Sequence, residues 1–138
     1  MNKTVPFVLG CLWLLVVFAG CKTEKRYNLG NYYYLEIDKE NPANTKLVHS
    51  KEDGFEDVIL GEIIDYNSDP SYIIIHRKVT EKARAIFEDN PLWQQQLKGS
   101  DQYWIIDKKE GGLTGPLDMA AYLAKRKELQ ISNGVMVR

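Results

Sequence analysis

Histidine and cysteine, the residues most typical of zinc sites and of catalysis near neutral pH, are few in this chain. The two histidines are His49 and His76, and neither has a second ligand at the i+4 or CxxC spacing typical of a zinc site. His76 lies on an alternating segment, where we expect it to bond to its neighbours rather than act as a ligand or a base. The patterns GxSxG, GxxxxGK and GxGxxG, which mark nucleophile elbows and phosphate-binding loops, are missing. The sequence therefore predicts a protein that is not an enzyme, with no catalytic residue, no metal and no cofactor.

An acidic cluster surrounds Gly54 and consists of Glu52, Asp53, Glu56 and Asp57. A calcium loop needs a bidentate acid that closes a loop of fixed length, and this cluster lacks that pattern. We therefore expect a solvated turn. Its acidic face would suit a basic partner, because opposite charge steers the encounter of two proteins.

The chain begins with a basic start and a long apolar run. Lys3 is followed by an uncharged segment, residues 4–20, that is rich in Leu, Val and Phe and is interrupted by a proline and a glycine. These features are typical of a secretory signal peptide that is cleaved, and the alternative is an uncleaved N-terminal anchor. Of the two cysteines, Cys11 lies inside this leader and Cys21 follows it directly. Once the leader is removed no intramolecular disulfide is possible, so Cys21 needs another explanation.

The stretch Phe18-Ala19-Gly20-Cys21 resembles the lipobox of bacterial lipoproteins, with Phe18 at the position where that family usually has leucine. The resemblance implies cleavage between Gly20 and Cys21. It also implies that the Cys21 thiol takes a diacylglycerol and that the freed amine takes a further fatty acid such as palmitate. Two or three acyl chains give stable membrane attachment. We therefore expect an exported protein that is lipid-anchored to the cell membrane or the outer membrane.

Length and charge limit the remaining possibilities. The chain has 138 residues, and removal of residues 1–20 leaves 118, the usual size of one domain. We expect a signal peptide over 1–20, a lipidated tether over 21–30 and a single globular domain over 31–138. Of the 18 basic residues only Lys3 lies in the leader, so 17 face 19 acidic ones after it. This near balance, without a basic block, argues against nucleic-acid binding.

The aromatic residues are the strongest indication of a binding surface. Tyr32 and Tyr34 fall on the polar face of the first predicted strand, and Tyr103 and Trp104 fall on opposite faces of a later one. Exposed tyrosines beside acids can form a platform for a glycan or a protein partner. The alternative is that these rings lie under a helix or beside a neighbouring strand. Tyr32, Tyr34 and Trp104 are thus the candidate binding residues.

Alternation of apolar residues and β-branched runs predict the strands that must position these side chains. The predicted strands cover residues 31–38, 46–49, 57–66, 71–78 and 103–107. The connection Asn67-Ser68-Asp69-Pro70 predicts an antiparallel hairpin between 57–66 and 71–78. The segment Val135-Met136-Val137 is either an edge strand or a frayed tail.

Two helical segments complete the predicted elements. Thr80 is a candidate N-cap for a first helix, which Asn90-Pro91 interrupts and Gly99 ends. Gly115-Pro116 is expected to open a last helix, with Asp118 near its positive end. The apolar stripe of that last helix is predicted to be Leu117, Ala120, Ala121 and Ala124. The order of elements predicts an α+β fold, an antiparallel sheet of four to five strands with both helical segments packed on one face.

The body of the chain resembles small bacterial lipoproteins of uncharacterised function. The resemblance lies in the tyrosine-rich first strand and in Tyr103–Asp107 leading to Gly115-Pro116-Leu117, and it implies no catalytic residues. We expect a membrane-anchored module that binds another envelope or secreted protein. The alternatives are an immunity or inhibitor lipoprotein directed against a toxin or hydrolase, a small envelope hydrolase, and a structural envelope component.

Overall fold

A computed structural model describes residues 25–41, 44–91 and 93–137. The predicted signal peptide and the lipidation site at Cys21 lie outside these ranges. Within them the strands are β1 (Lys25–Gly30), β2 (Tyr33–Ile37), β3 (Lys46–Lys51), β4 (Gly54–Ile59), β5 (Glu62–Ser68), β6 (Tyr72–Lys78), β7 (Asp101–Asp107) and β8 (Leu113–Leu117). The helices are α1 (Glu81–Phe87), a short 3-10 helix (Gln94–Leu97) and α2 (Met119–Glu128).

The strands form two antiparallel sheets, each a simple meander. The first sheet has the order β1-β2-β3-β4 and the second the order β5-β6-β7-β8. The fold is thus α+β in the broad sense but consists mostly of sheet. The expectation of one sheet with four to five strands was wrong, because the chain changes sheets in the middle of a run that reads as a single strand.

That change of sheet occurs at Leu60-Gly61. The predicted strand over 57–66 is divided between β4, which ends at Ile59, and β5, which begins at Glu62. Gly61 has φ +102°, a conformation that residues with a Cβ atom rarely adopt. A Cβ atom there would also lie 2.5 Å from Nη2 of Arg77. The glycine therefore permits both the turn and the close approach of this guanidinium group.

A hydrophobic core lies between the two sheets. Along β2, β6 and β7 the residues that face this core alternate with residues that face away from it. Full burial of each large aliphatic side chain stabilises the fold by roughly 1.5–3 kcal/mol. The core residues are Leu29, Tyr33, Leu35, Leu47 and Ile59 from the first sheet and Ile73, Ile75, Trp104 and Ile106 from the second.

The outer face of the second sheet is covered by α2 and the C-terminal tail. Tyr122 of α2 packs there together with Val135 and Val137 of the tail, which are buried although the tail forms no strand within the described residues. As expected, Asp118 lies at the N-terminus of α2, where its carboxylate accepts a hydrogen bond of 2.8 Å from the amide of Ala121.

The expected start and apolar stripe of α2 were wrong. Gly115-Pro116 lies inside β8, so the helix begins several residues later than predicted. The later start changes which side faces the sheet: Tyr122 and Arg126 are buried, whereas the predicted alanines at 120, 121 and 124 are exposed. These two buried residues are four apart and therefore lie on one face.

The helix α1 belongs to the connection between β6 and β7. Thr80 caps it as expected, accepting a hydrogen bond of 3.2 Å from the amide of Ala83. Arg84 donates hydrogen bonds to the carbonyl oxygens of Leu97 (2.6 Å) and Gly99 (2.8 Å), which fastens α1 to the 3-10 helix segment. The expectation that both helical segments pack on one sheet face was wrong, because α2 covers the outer face of the second sheet whereas α1 contacts the 3-10 helix segment.

Four short hairpin turns of the described residues lie at one end of the molecule, which we call the hairpin end. The ammonium group of Lys108 donates hydrogen bonds to the carbonyl oxygens of Leu29 and Asp69 and to Oγ of Ser68 (2.9 Å), which joins the two sheets there. The four turns are residues 31–32, 52–53, 69–71 and 108–112.

The described chain enters at the opposite end from these turns. Lys25 at the start of β1 pairs with Ile37 at the end of β2, away from the β1–β2 turn. Residues 25–30, which were expected to belong to the tether, form β1 instead. Among the described residues, no helix is long and apolar enough to span a membrane.

Candidate binding site

Two adjoining cavities open at the hairpin end. The first, which we call the tip cavity, has a volume of about 550 Å³ and is lined by Tyr32, His49, Ser50, Lys51 and Glu52. The second, the seam groove, has a volume of about 370 Å³ and is lined by Tyr33, His49, Lys51, Glu56, Asp57, Val58, Ile106, Gly111 and Leu113. His49 and Lys51 line both cavities, so the two form one continuous surface.

The register of the first sheet positions the centre of this surface. Tyr33 of β2 pairs with His49 of β3, which pairs in turn with Glu56 of β4. The rings of Tyr33 and His49 stack with their centroids 4.3 Å apart and an interplanar angle of 29°. Burial raises the pKa of the Tyr33 phenol, and the negative charge of Glu56 raises it further. The phenol therefore stays neutral and can donate a hydrogen bond at physiological pH.

The carboxylates beside the seam groove are paired with lysines. Glu56 forms an ion pair with Lys51, and the hydrogen bond from Lys51 lowers the pKa of Glu56. Asp57 forms an ion pair of 2.8 Å with Lys46. A general acid needs a raised pKa, so the environment of Glu56 favours a fixed negative charge over proton transfer.

The three aromatic residues predicted to bind a partner lie in different environments. Tyr32 is 70% exposed in the β1–β2 turn and has φ +64°. Tyr34 is half-buried and contacts Phe55 edge-on, with ring centroids 5.8 Å apart. Trp104 is 3% exposed in the core between the sheets. Trp104 was therefore wrongly assigned to the binding surface, because its side chain lies on the face of β7 that packs against the first sheet.

Tyr34 belongs to an ordered surface on the outer face of the first sheet. Ion pairs run across its strands from Arg26 to Glu36, from Glu36 to Lys46 (3.6 Å) and from Lys46 to Asp57. The Arg26 guanidinium also lies 4.2 Å from the ring centroid of Phe55. The charged side chains of this face thus pair with one another across the strands.

The second histidine, His76, packs among neighbouring side chains of the second sheet. Nε2 of His76 lies 3.2 Å from Oδ1 of Asp101, and its ring stacks on Tyr103 at 4.4 Å. Tyr103 stacks in turn on Tyr122 of α2 at 4.7 Å. The prediction that His76 bonds to its neighbours is confirmed.

Sequence reasoning missed His49, although a signal for it was present. His49 lies two residues after Leu47 on β3, so alternation alone places both on the inner face. The sequence could not show that the core-facing side of the first sheet is open to solvent at the hairpin end. That depends on where the second sheet, which covers the rest of this side, ends.

The acidic turn contributes charge to the tip cavity. Glu52 and Asp53 form the β3–β4 turn, and in the described part of the chain neither takes part in an ion pair. Over the same residues, no group of three or more His, Cys, Asp or Glu side chains is placed to hold a metal ion. The turn therefore presents two carboxylates to solvent, next to Tyr32.

The fold and this surface define a small two-sheet protein with an open, partly aromatic cavity at the hairpin end. The chain belongs to the family described as "Protein of unknown function (DUF3997)", whose profile matches residues 29–137. No curated protein and no solved structure matches the chain.

Proposed function

We propose that this protein is an exported, lipid-anchored, non-catalytic module that binds another protein at the bacterial cell envelope. The observation that carries the proposal is Tyr32, a large aromatic side chain exposed on a turn beside the tip cavity. Tyrosine is enriched at protein interfaces because it combines apolar area with a polar tip and loses little entropy on binding. The resemblance of residues 18–21 to a lipobox supports the anchored location.

The proposed anchor and the proposed binding surface lie at opposite ends of the fold. Cys21 precedes Lys25 by four residues, a span of about 14 Å at most. Lys25 lies at the end of the fold opposite the four hairpin turns. An anchor at Cys21 would therefore hold the entry end near the membrane and direct Tyr32 and the tip cavity away from it.

An inhibitor lipoprotein directed against a basic toxin or hydrolase is the second candidate. Glu52 and Asp53 favour it, because both are exposed and neither forms an ion pair with another of the described residues. Glu52 lines the tip cavity together with Tyr32, so these carboxylates would attract a basic surface to the proposed site.

The anchor is tested by comparing the wild type with Cys21→Ala. We expect the wild type to lose residues 1–20, to gain acyl mass and to enter the detergent phase on partitioning, whereas the variant does none of these. Intact-mass spectrometry and detergent partitioning measure both. Identical behaviour of the two proteins would refute lipid anchoring.

The binding surface is tested with a photo-crosslinking amino acid placed at Tyr32 in the native envelope. The matched control places it at Met136, which is also exposed but lies in the C-terminal tail. We expect a discrete cross-linked protein from position 32 and none of the same mass from position 136. Equal yields from both positions would contradict binding through the hairpin end.

A further inference from the structure

We propose that the seam groove binds an extended, basic peptide segment of the partner protein, which adds to the free edge of β4 as a further strand. This inference rests on the proposed binding function and assigns it a mode and a partner chemistry. The groove lies where the last strand of the first sheet, β4, meets the β7–β8 turn and the start of β8.

The edge of β4 has the geometry that strand addition requires. Residues 54–57 pair with residues 51–48 of β3 one for one, and the register shifts only beyond this run. Since β4 is the last strand of its sheet, no strand within the described residues pairs with its other side. The Gln96 side chain bonds to the carbonyl oxygen of Val58 (2.9 Å) and to the amide of Leu60 (3.2 Å), so the edge open to a further strand is the run 54–57. An unpaired row of this kind is a template for a further strand.

The groove beside β4 supplies specificity. Its lining includes the apolar side chains of Val58, Ile106 and Leu113 together with the Tyr33 ring. Alternate side chains of an added strand point to the same side, about 7 Å apart. A volume of about 370 Å³ accommodates one aliphatic side chain of the added strand and leaves room for its flanking atoms. The edge strand β1 contributes no residue to this groove.

The charges around the groove favour a basic occupant. Glu56 and Asp57 line the groove, and Glu52 and Asp53 on the adjoining turn are unpaired among the described residues. Two of these four carboxylates are balanced by Lys51 and Lys46, which leaves a net negative rim. A second copy of this chain would carry the same net negative rim, so the charges along two paired β4 edges would repel each other.

Selection from a random dodecamer peptide display library on the purified full chain tests this mode. We expect the enriched peptides to combine Lys or Arg with alternating aliphatic residues. We also expect each of them to slow amide hydrogen exchange in β4, while β1, the other edge of the same sheet, stays unchanged. Failure to enrich any peptide, or protection located outside β4, would overturn the proposal. Protection of β4 in the peptide-free chain together with a dimeric mass in sedimentation would also overturn it, in favour of a second copy.

A charge-reversed variant tests the chemistry of the partner. Glu52→Lys combined with Asp53→Lys is expected to weaken binding of the selected peptides about tenfold. The matched control is Glu88→Lys combined with Asp89→Lys, an adjacent exposed acid pair near the end of α1, and it should leave affinity unchanged. Equal losses in both variants would refute a local charge effect. A cross-linked partner at Tyr32 without any peptide bound at β4 would refute strand addition while leaving the proposed binding function intact.

Discussion

Arg77 shows how a single residue constrains the sheet junction. Its side chain is fully buried and donates hydrogen bonds to the carbonyl oxygen of Gln96 (2.6 Å) and to Oε1 of Gln102 (3.0 Å). Among the described residues no acid pairs with it, and burial lowers its pKa to about 10, with a smaller contribution from the charge of Arg84. The guanidinium instead lies against Gly61, where the chain passes from one sheet to the other.

Substitution of Gly61 is expected to be costly for this reason. Gly61→Ala introduces a Cβ atom 2.5 Å from Arg77 Nη2 at a backbone conformation with positive φ. We expect a loss of about 2–4 kcal/mol in the free energy of unfolding, measured by urea denaturation. Gly54→Ala is the control, since Gly54 also has positive φ but has no atom within 4 Å of the added Cβ, and its loss should be about 1 kcal/mol. Equal losses would show that the contact with Arg77 is unimportant.

Tyr122 gives a prediction about pH. Burial raises the pKa of its phenol above the usual value of 10.0. Because the unfolded chain ionises first as the pH rises, the stabilisation from the neutral buried phenol is complete below pH 10 and is lost as the pH rises through the folded-state pKa. The unfolding free energy of the wild type should therefore fall relative to that of Tyr122→Phe above pH 10. Urea denaturation between pH 8 and 11 measures this, with Tyr32→Phe as an exposed-site control. Parallel curves for the wild type and Tyr122→Phe would contradict it.

At the level of elements, Lys108 holds the two sheets together at the hairpin end. Lys108→Met leaves the carbonyl oxygen of Asp69 without its donor and leaves that of Leu29 with only the hydroxyl of Ser68 (3.0 Å). We expect a loss of about 1–3 kcal/mol in stability and faster amide exchange in the β5–β6 turn. The neighbouring exposed residue provides the control, and Lys109→Met should change neither quantity. A Lys108 variant as stable as the control would show that water replaces the ammonium group without cost.

Element prediction from the sequence succeeded where the signal was local. The hairpin between β5 and β6 and the N-cap at Thr80 were predicted correctly, and Asp118 was correctly expected near the N-terminus of α2, because turn and capping residues act on their immediate neighbours. The break at Gly61 was missed, because the apolar pattern continues through it on both sides. The start of α2 was misplaced, because Gly115-Pro116 also fits an edge strand.

The candidate site was only partly predictable for a related reason. Tyr32 was expected to be exposed and is exposed, although it lies in the β1–β2 turn and not on the polar face of a strand as predicted. Trp104 was wrongly expected to be exposed. Alternation shows that two neighbouring residues of a strand face opposite sides of the sheet, but it does not show that both sides are covered. The covering layers come from distant parts of the chain: the first sheet on one side, and α2 with the tail on the other.

For the whole molecule, the shared core predicts a single cooperative unfolding transition. Because residues from both sheets form one cluster between them, neither sheet can bury its inner face alone. Trp104→Ala is expected to cost about 3–5 kcal/mol. Tryptophan fluorescence and far-UV circular dichroism of the wild type should give coincident urea transitions. Two separated transitions would show that the sheets unfold independently.

The arrangement of the four hairpin turns has a consequence for how this family can diversify. Each turn joins two strands that are already paired, so lengthening a turn changes neither the register nor the core. The turns at 31–32 and 52–53 contribute to the proposed recognition surface, whereas the corner at Leu60-Gly61 cannot change without shifting one sheet against the other. Insertions accumulating at the hairpin end would therefore give homologous chains different specificities on one unchanged scaffold.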